Sequence, residues 1–408
     1  MKRTLLIPAL LDHHWDLLRW AFVSKEWDAV ILEDRIAIED IGLRALHNDL
    51  CYPFTLIAGQ VLSALRSGKY DPSRTAVLIS QAADACRGSC LIRLLRPVLD
   101  REGFSQVSLL SFNVRGIEQQ VALPFSLTMA RRALAAVIWG DSLMLMAHQT
   151  RPYERDPGAV NALLKKWTDT LSDDLQFKRG LSLRGILRRC EEMACDFHAV
   201  PRTERTIQKV ALVGDIYTKY CHLGNWDLEA YLESQGCEVA VGGFTWHALY
   251  YLSTHLDSGP LPIRLGCKAL MAGGEWLLQR MTHILRDSGF VVLPSCKELK
   301  ATAADYSTST CAVGSGWLFA AEIAAWVQAG YPKVLAALPF ACLPGHIYGR
   351  GQYAALQRKL PGSMIVGVDY DASIRDGTVL TRVKMLLDTE IQMNVQKISD
   401  TKGFPDRT

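Results

Sequence analysis

The first 120 residues alternate short apolar runs with longer helical patterns. Thr4–Leu10, Trp27–Leu32, Thr75–Ser80 and Gln106–Phe112 have the character of strands. The last three are short, rich in Val, Ile and Leu, and bounded by polar residues, as buried parallel strands are. Between them, Phe54–Leu65 places Leu56, Ile57, Val61, Leu62 and Leu65 on one helical face. Gly68 and Asp71-Pro72 supply its stop signal. Alternation of this kind predicts βαβ units and a parallel sheet.

From about Phe125 to Pro201 the strand patterns disappear. Ala130–His148 is a long apolar helical pattern with an interruption expected at Gly140-Asp141, and Leu163–Leu171 and Leu183–Phe197 are further helices. Alternation then resumes, with strands expected at Lys209–Tyr217, Glu238–Val241, Phe290–Leu293, Val334–Leu338 and Met364–Asp369. Ile284–Asp287 and Glu322–Ala329 lie in the helical stretches between them. The expected class is α/β, two Rossmann-like parallel-sheet domains joined by a helical connector. The expected boundaries are 1–124, 125–205 and 206–408, with a frayed polar tail after Lys397.

Composition narrows the function classes. The 408 residues are 49% hydrophobic and 21% charged with a net charge of +3, so no basic field points to nucleic acid. The apolar run Thr4–Leu11 is too short for a signal peptide or a membrane span, which makes a cytoplasmic location the expectation. Eleven cysteines in so long a chain exceed what packing needs, which gives weight to metal or redox use.

The loop Gln81–Cys90, QAADACRGSC, leaves a predicted strand and enters a predicted helix, Leu91–Leu99. Open α/β sheets place their chemistry in such loops. Cys86 shares this placement with Cys342, which follows Val334–Leu338 in PFACLPGH, and with Cys51, which precedes the helix that Phe54 continues. Backbone N–H groups at a helix start stabilise a thiolate, the form that binds iron or zinc. Three buried loop thiols are the alternative reading. Cys90 adds a Cys-x3-Cys pair, and Cys221 and Cys311 occupy loop positions at the edges of βα units. Cys190, Cys195, Cys237, Cys267 and Cys296 abut apolar or helical segments and are expected to be structural. His346, close to Cys342, is a candidate proton donor. Paired Cys-x2-Cys units, a Walker A loop, a dinucleotide fingerprint and a G-x-S-x-G elbow are all missing from the chain.

With these residues in view, the chain resembles the iron–sulfur domain family associated with activators of 2-hydroxyacyl-CoA dehydratases and benzoyl-CoA reductases. The resemblance rests on GLRALHNDLCYP, IAGQVLSALRSGKYD, ISQAADACR, RPYE, VALVGDIYTKY, GSGWLFAAEI, LPFACLPGHIYGRG and IVGVDYD, which span nearly the whole chain in order. It implies a cubane cluster, 4Fe-4S, held by Cys51, Cys86 and Cys342. Relatives with a double cubane, 8Fe-9S, use six cysteines, a set that Cys90, Cys221 and Cys311 would complete here. Ser315 and Gly345 depart from the family pattern, where an acidic residue and an asparagine are usual. The resemblance further implies electrons from a separate ATP-dependent activator, reduction or dehydration of a small substrate at the cluster, and by analogy a homodimer. A non-catalytic electron-relay or cluster-maturation protein is the second reading, and a zinc-stabilised structural protein the third.

Overall fold

The computed structural model describes residues 2–47, 50–80, 86–111, 126–254, 256, 261–308, 310, 313–373 and 376–390. Strands β1 (Arg3–Pro8), β2 (Trp27–Leu32), β3 (Thr75–Ile79) and β4 (Ser108–Ser111) form one sheet in the order β2-β1-β3-β4. Strands β5 (Gln208–Gly214), β6 (Cys237–Val241), β7 (Lys333–Pro339) and β8 (Met364–Tyr370) form a second in the order β6-β5-β7-β8. Every pairing in both is parallel. The α/β class with two Rossmann-like sheets is therefore the observed one. All residues of β3, β6 and β7 are buried. A parallel strand covered on both faces reads as a continuous apolar run, which is why the strand pattern was visible.

Strand order reverses direction once in each sheet, between β1 and β3 and between β5 and β7. Crevices outside the carboxyl ends of strands at such reversals are where open α/β sheets hold ligands. At the second reversal the chains leaving β5 and β7 start in contact, since a Cβ on Gly214 would fall 2.0 Å from the Ala337 carbonyl oxygen.

The long apolar pattern forms one helix, Leu127–Thr150, capped by Ser126, whose hydroxyl accepts from the Met129 N–H at 3.1 Å. Every residue from Ile138 to Thr150 is buried. A helix apolar on all sides belongs inside a protein, and this one packs against the helices Asp12–Phe22, Leu183–His198 and Phe244–Ser253 and against β6. The interruption expected at Gly140-Asp141 does not occur. Gly140 instead makes room for a ring, because a Cβ there would lie 2.5 Å from His14 Cδ2. Asp141 accepts three hydrogen bonds, from His14 Nε2 at 2.8 Å and from the Phe244 and Thr245 N–H groups at 2.6 and 2.8 Å.

One predicted strand is absent. Phe290–Leu293 is buried but pairs with no strand. Its backbone is satisfied by side chains: Gln149 accepts from the Val291 N–H and donates to the Val291 carbonyl, both at 2.7 Å, and Arg286 donates to the Leu293 carbonyl at 3.0 Å. With these bonds made, no ladder is needed. The strand expected over Lys209–Tyr217 also stops early, at Gly214, because Asp215 accepts from the Tyr217 N–H at 2.8 Å and starts the short helix Ile216–Tyr220.

Among the described residues no helix is long and apolar enough to cross a membrane. Lys219 and Glu322 form a buried ion pair, with Nζ 3.0 and 3.1 Å from the two carboxylate oxygens. Their side chains are 2% and 3% exposed.

Candidate metal centre

Three of the predicted ligands come together from separate segments. Cys51 caps the helix Tyr52–Arg66, in extended backbone with Pro53 in the first turn behind it, so the thiol sits at the end where N–H groups are unpaired. Cys86 begins the 3-10 turn Arg87–Cys90 and its Sγ accepts from the Gly88 N–H at 3.3 Å. The preceding loop residues, 81–85, lie outside the described residues. Cys342 follows β7, its N–H donating to the Pro339 carbonyl at 3.1 Å and its carbonyl accepting from the His346 N–H at 2.9 Å. Ala341 beside it is held at φ 53°, a left-handed conformation that costs a non-glycine residue energy and is common where a site is preorganised.

A hydrogen bond joins two of these loops. Arg87 Nη2 donates to the Ala341 carbonyl at 2.7 Å, linking the turn after β3 to the turn after β7 across the two sheets. A fourth segment, the turn at Gly314, packs on the same loop, since a Cβ on Gly314 would lie 2.7 Å from Pro344 Cβ.

Electrostatics show how closely these groups are gathered. Burial pushes the Cys51 thiol well above its ordinary value, and Asp215, Cys342 and Cys86 push it further while Arg87 opposes them. Burial likewise raises Cys342 to about 12, again with Asp215 and Cys86 adding and Arg87 opposing. Desolvation raises the Asp215 carboxyl too, although N–H groups of its own helix favour the anion. Cys51 and Cys342 thus both feel the negative charge of Asp215 and Cys86 and the positive charge of Arg87. Bound cationic metal is what such a donor set would need to ionise.

Cys51, Cys86 and Cys342 do not bring their three sulfurs within 4.8 Å of one another. Among the described residues, the only three His, Cys, Asp or Glu side chains with ligating atoms all within 4.8 Å of one another are His13, His148 and Glu229.

The remaining predicted residues lie elsewhere or at the margin. Cys90 is exposed at the end of its turn. Cys221 is buried and raised to about 12, chiefly by desolvation, and faces Asp12 and Tyr217. Cys311 lies outside the described residues. His346 stands in the turn Gly345–Gly349 with Nε2 3.7 Å from Asp369, whose carboxylate is held by Arg350 at 2.7 Å. Of the cysteines expected to be structural, Cys190, Cys237, Cys267 and Cys296 are buried, whereas Cys195 is exposed.

Thiol reactivity follows from these positions. In metal-free protein at pH 8, iodoacetamide is expected to modify Cys90 and Cys195 and to spare Cys51 and Cys342, as mapped by peptide mass spectrometry. A folded-state value above the ordinary 9.0 favours the neutral thiol. The stability this lends is complete below pH 9.0 and lost as pH rises towards about 12, so Cys342 labelling should climb through that window.

Sequence reasoning missed a second cluster. His13 Nε2 lies 2.8 Å, His148 Nε2 3.2 Å and His222 Nε2 3.4 Å from the same oxygen, Glu229 Oε2. His148 Nδ1 lies 3.0 Å from Glu233 Oε1, which Arg151 holds at 2.7 Å. Ligand positions 13, 148 and 229 have no spacing that a motif search can find. The one usable signal was His13-His14 immediately beyond β1, at the carboxyl edge of a sheet. Comparison with protein-family models and with curated proteins finds no match to this chain.

Proposed function

We propose that the chain is an iron–sulfur redox protein whose cluster is bound by Cys51, Cys86 and Cys342. In this reading it takes low-potential electrons from a separate ATP-dependent activator and reduces or dehydrates a small substrate. The observation that carries the reading is the gathering of three thiols, from three segments and both sheets, around Arg87 and Asp215. Two of the segments follow strands at the reversals of strand order, where the fold rule puts ligands. The resemblance of the surrounding sequence blocks to the dehydratase-activator family adds support.

A cubane held by three thiolates supplies low-potential electrons and leaves one iron free for another ligand. The chain's own residues set the conditions. Burial of Cys51 and Cys342, 9% and 6% exposed, keeps water from the sulfurs. Arg87 offsets negative charge and holds the Cys342 loop in place. Phe340, Leu343 and Ile347 are exposed around Cys342, an apolar collar on which an electron-donating protein can dock.

Protein prepared under strict anaerobiosis should be brown, with about four irons and four sulfides per chain, and its visible absorption should bleach on reduction. A double cubane would give about eight irons and nine sulfides. Colourless, iron-free protein from the same preparation would overturn the reading.

A further inference from the structure

We infer that His13, His148 and Glu229 form a second metal site, for a single divalent ion of the zinc class. It is separate from the thiol centre. The site lies where three parts of the chain meet: His13 on the helix Asp12–Phe22, His148 on the connector helix Leu127–Thr150, and Glu229 on the helix Leu228–Ser234. Imidazole nitrogens and a carboxylate oxygen are the donor set of zinc sites that keep an open position.

The geometry suits an ion. Two ligands bound tetrahedrally at zinc–nitrogen distances stand roughly 3.3 Å apart. His13 and His148 lie 2.8 and 3.2 Å from Glu229 Oε2, so slight spreading of the side chains admits the metal. His148 and Glu229 are 3% and 2% exposed. Despite that burial, Glu229 Oε1 has no hydrogen-bond partner, and His148 Nε2 has only the contact with Glu229 Oε2. A buried polar atom without a partner is destabilising, and a metal bond would give it one.

The surroundings are those of a metal ligand set. Glu233 accepts from His148 Nδ1 and is itself fixed by Arg151, which aims His148 Nε2 at Glu229 Oε2, where a metal ion would take the place of its proton. His222 stands on the solvent side, 3.4 Å from Glu229 Oε2, with its N–H donating to Asp12 Oδ2 at 2.7 Å. It also lines a cleft of about 390 Å³ with Arg35, Glu39, Trp226 and Asp227.

The test uses the full-length protein and zinc alone. Wild-type protein, stripped of metal and then given zinc, should retain one zinc per chain after dialysis. X-ray absorption should show a nitrogen/oxygen shell at about 2.0 Å and no sulfur shell at about 2.3 Å. The variant Cys51→Ser/Cys86→Ser/Cys342→Ser should still bind that zinc, whereas His13→Ala and Glu229→Gln should lose it. Glu233→Gln, which removes only the positioning carboxylate, should weaken binding by about 10–100-fold. No retained zinc, a sulfur shell, or zinc lost with the cysteines and kept without His13 would overturn the site. The absorption spectrum needs no variant, so an unfolded His13→Ala protein would leave the question answerable. Failure of the iron–sulfur reading would show in the iron count alone.

Discussion

Serine at Cys51, Cys86 or Cys342 is expected to bring bound iron from about four per chain to near zero in each single variant. Each thiol comes from a different segment, so losing one removes a third of the protein ligands and leaves two that cannot close a cubane. Serine at Cys90 should leave iron at the wild-type level, because that thiol is exposed at the far end of its turn. Iron and sulfide assays on anaerobic protein read the result. Iron halved by the Cys90 variant would instead mean a double cubane. Iron unchanged in all three primary variants would remove the thiol centre altogether.

The second large effect concerns stability. Lys219→Met leaves Glu322 buried without its counter-ion, and an uncompensated buried charge costs about 3–5 kcal/mol. The pair lies inside the second sheet's packing, on the helix Ile216–Tyr220 that follows β5 and the helix Gly316–Gln328. Urea unfolding should show the free energy of unfolding falling by that amount. The double variant Lys219→Met/Glu322→Leu should recover most of it, since apolar replacement of both partners is often neutral. A loss under about 1 kcal/mol would mean that water reaches the pair as it does at a surface.

Both consequences depend on what could and could not be read beforehand. The sheets were legible because their strands are covered on both faces, and burial of that kind writes itself as apolar runs between polar borders. Cys51, Cys86 and Cys342 were legible for a related reason: each follows a strand or opens a helix. Two failures have one cause. Phe290–Leu293 looks like a strand, yet Gln149, from 142 residues away, and Arg286, from the preceding helix, satisfy its backbone. Gly140-Asp141 looks like a helix break, yet the glycine exists for the ring of His14. Long-range side-chain contacts leave no local periodicity. The histidine cluster was hidden in the same way, by ligands more than 80 residues apart in the chain.

Asp141 has a consequence for how the chain reaches this fold. Its carboxylate binds a ring at position 14 and two N–H groups at positions 244 and 245. On a ribosome, the first sheet's strands and His14 emerge well before Asp141 and before its partners at positions 244 and 245. His14 must wait for a helix 127 residues away, and that helix for one a further 103 away. Contacts of such separation close late and slow folding. The bonds of Asp141 are therefore complete only after residues 244 and 245 have been synthesised, which ties the final packing around His14 to the second half of the chain.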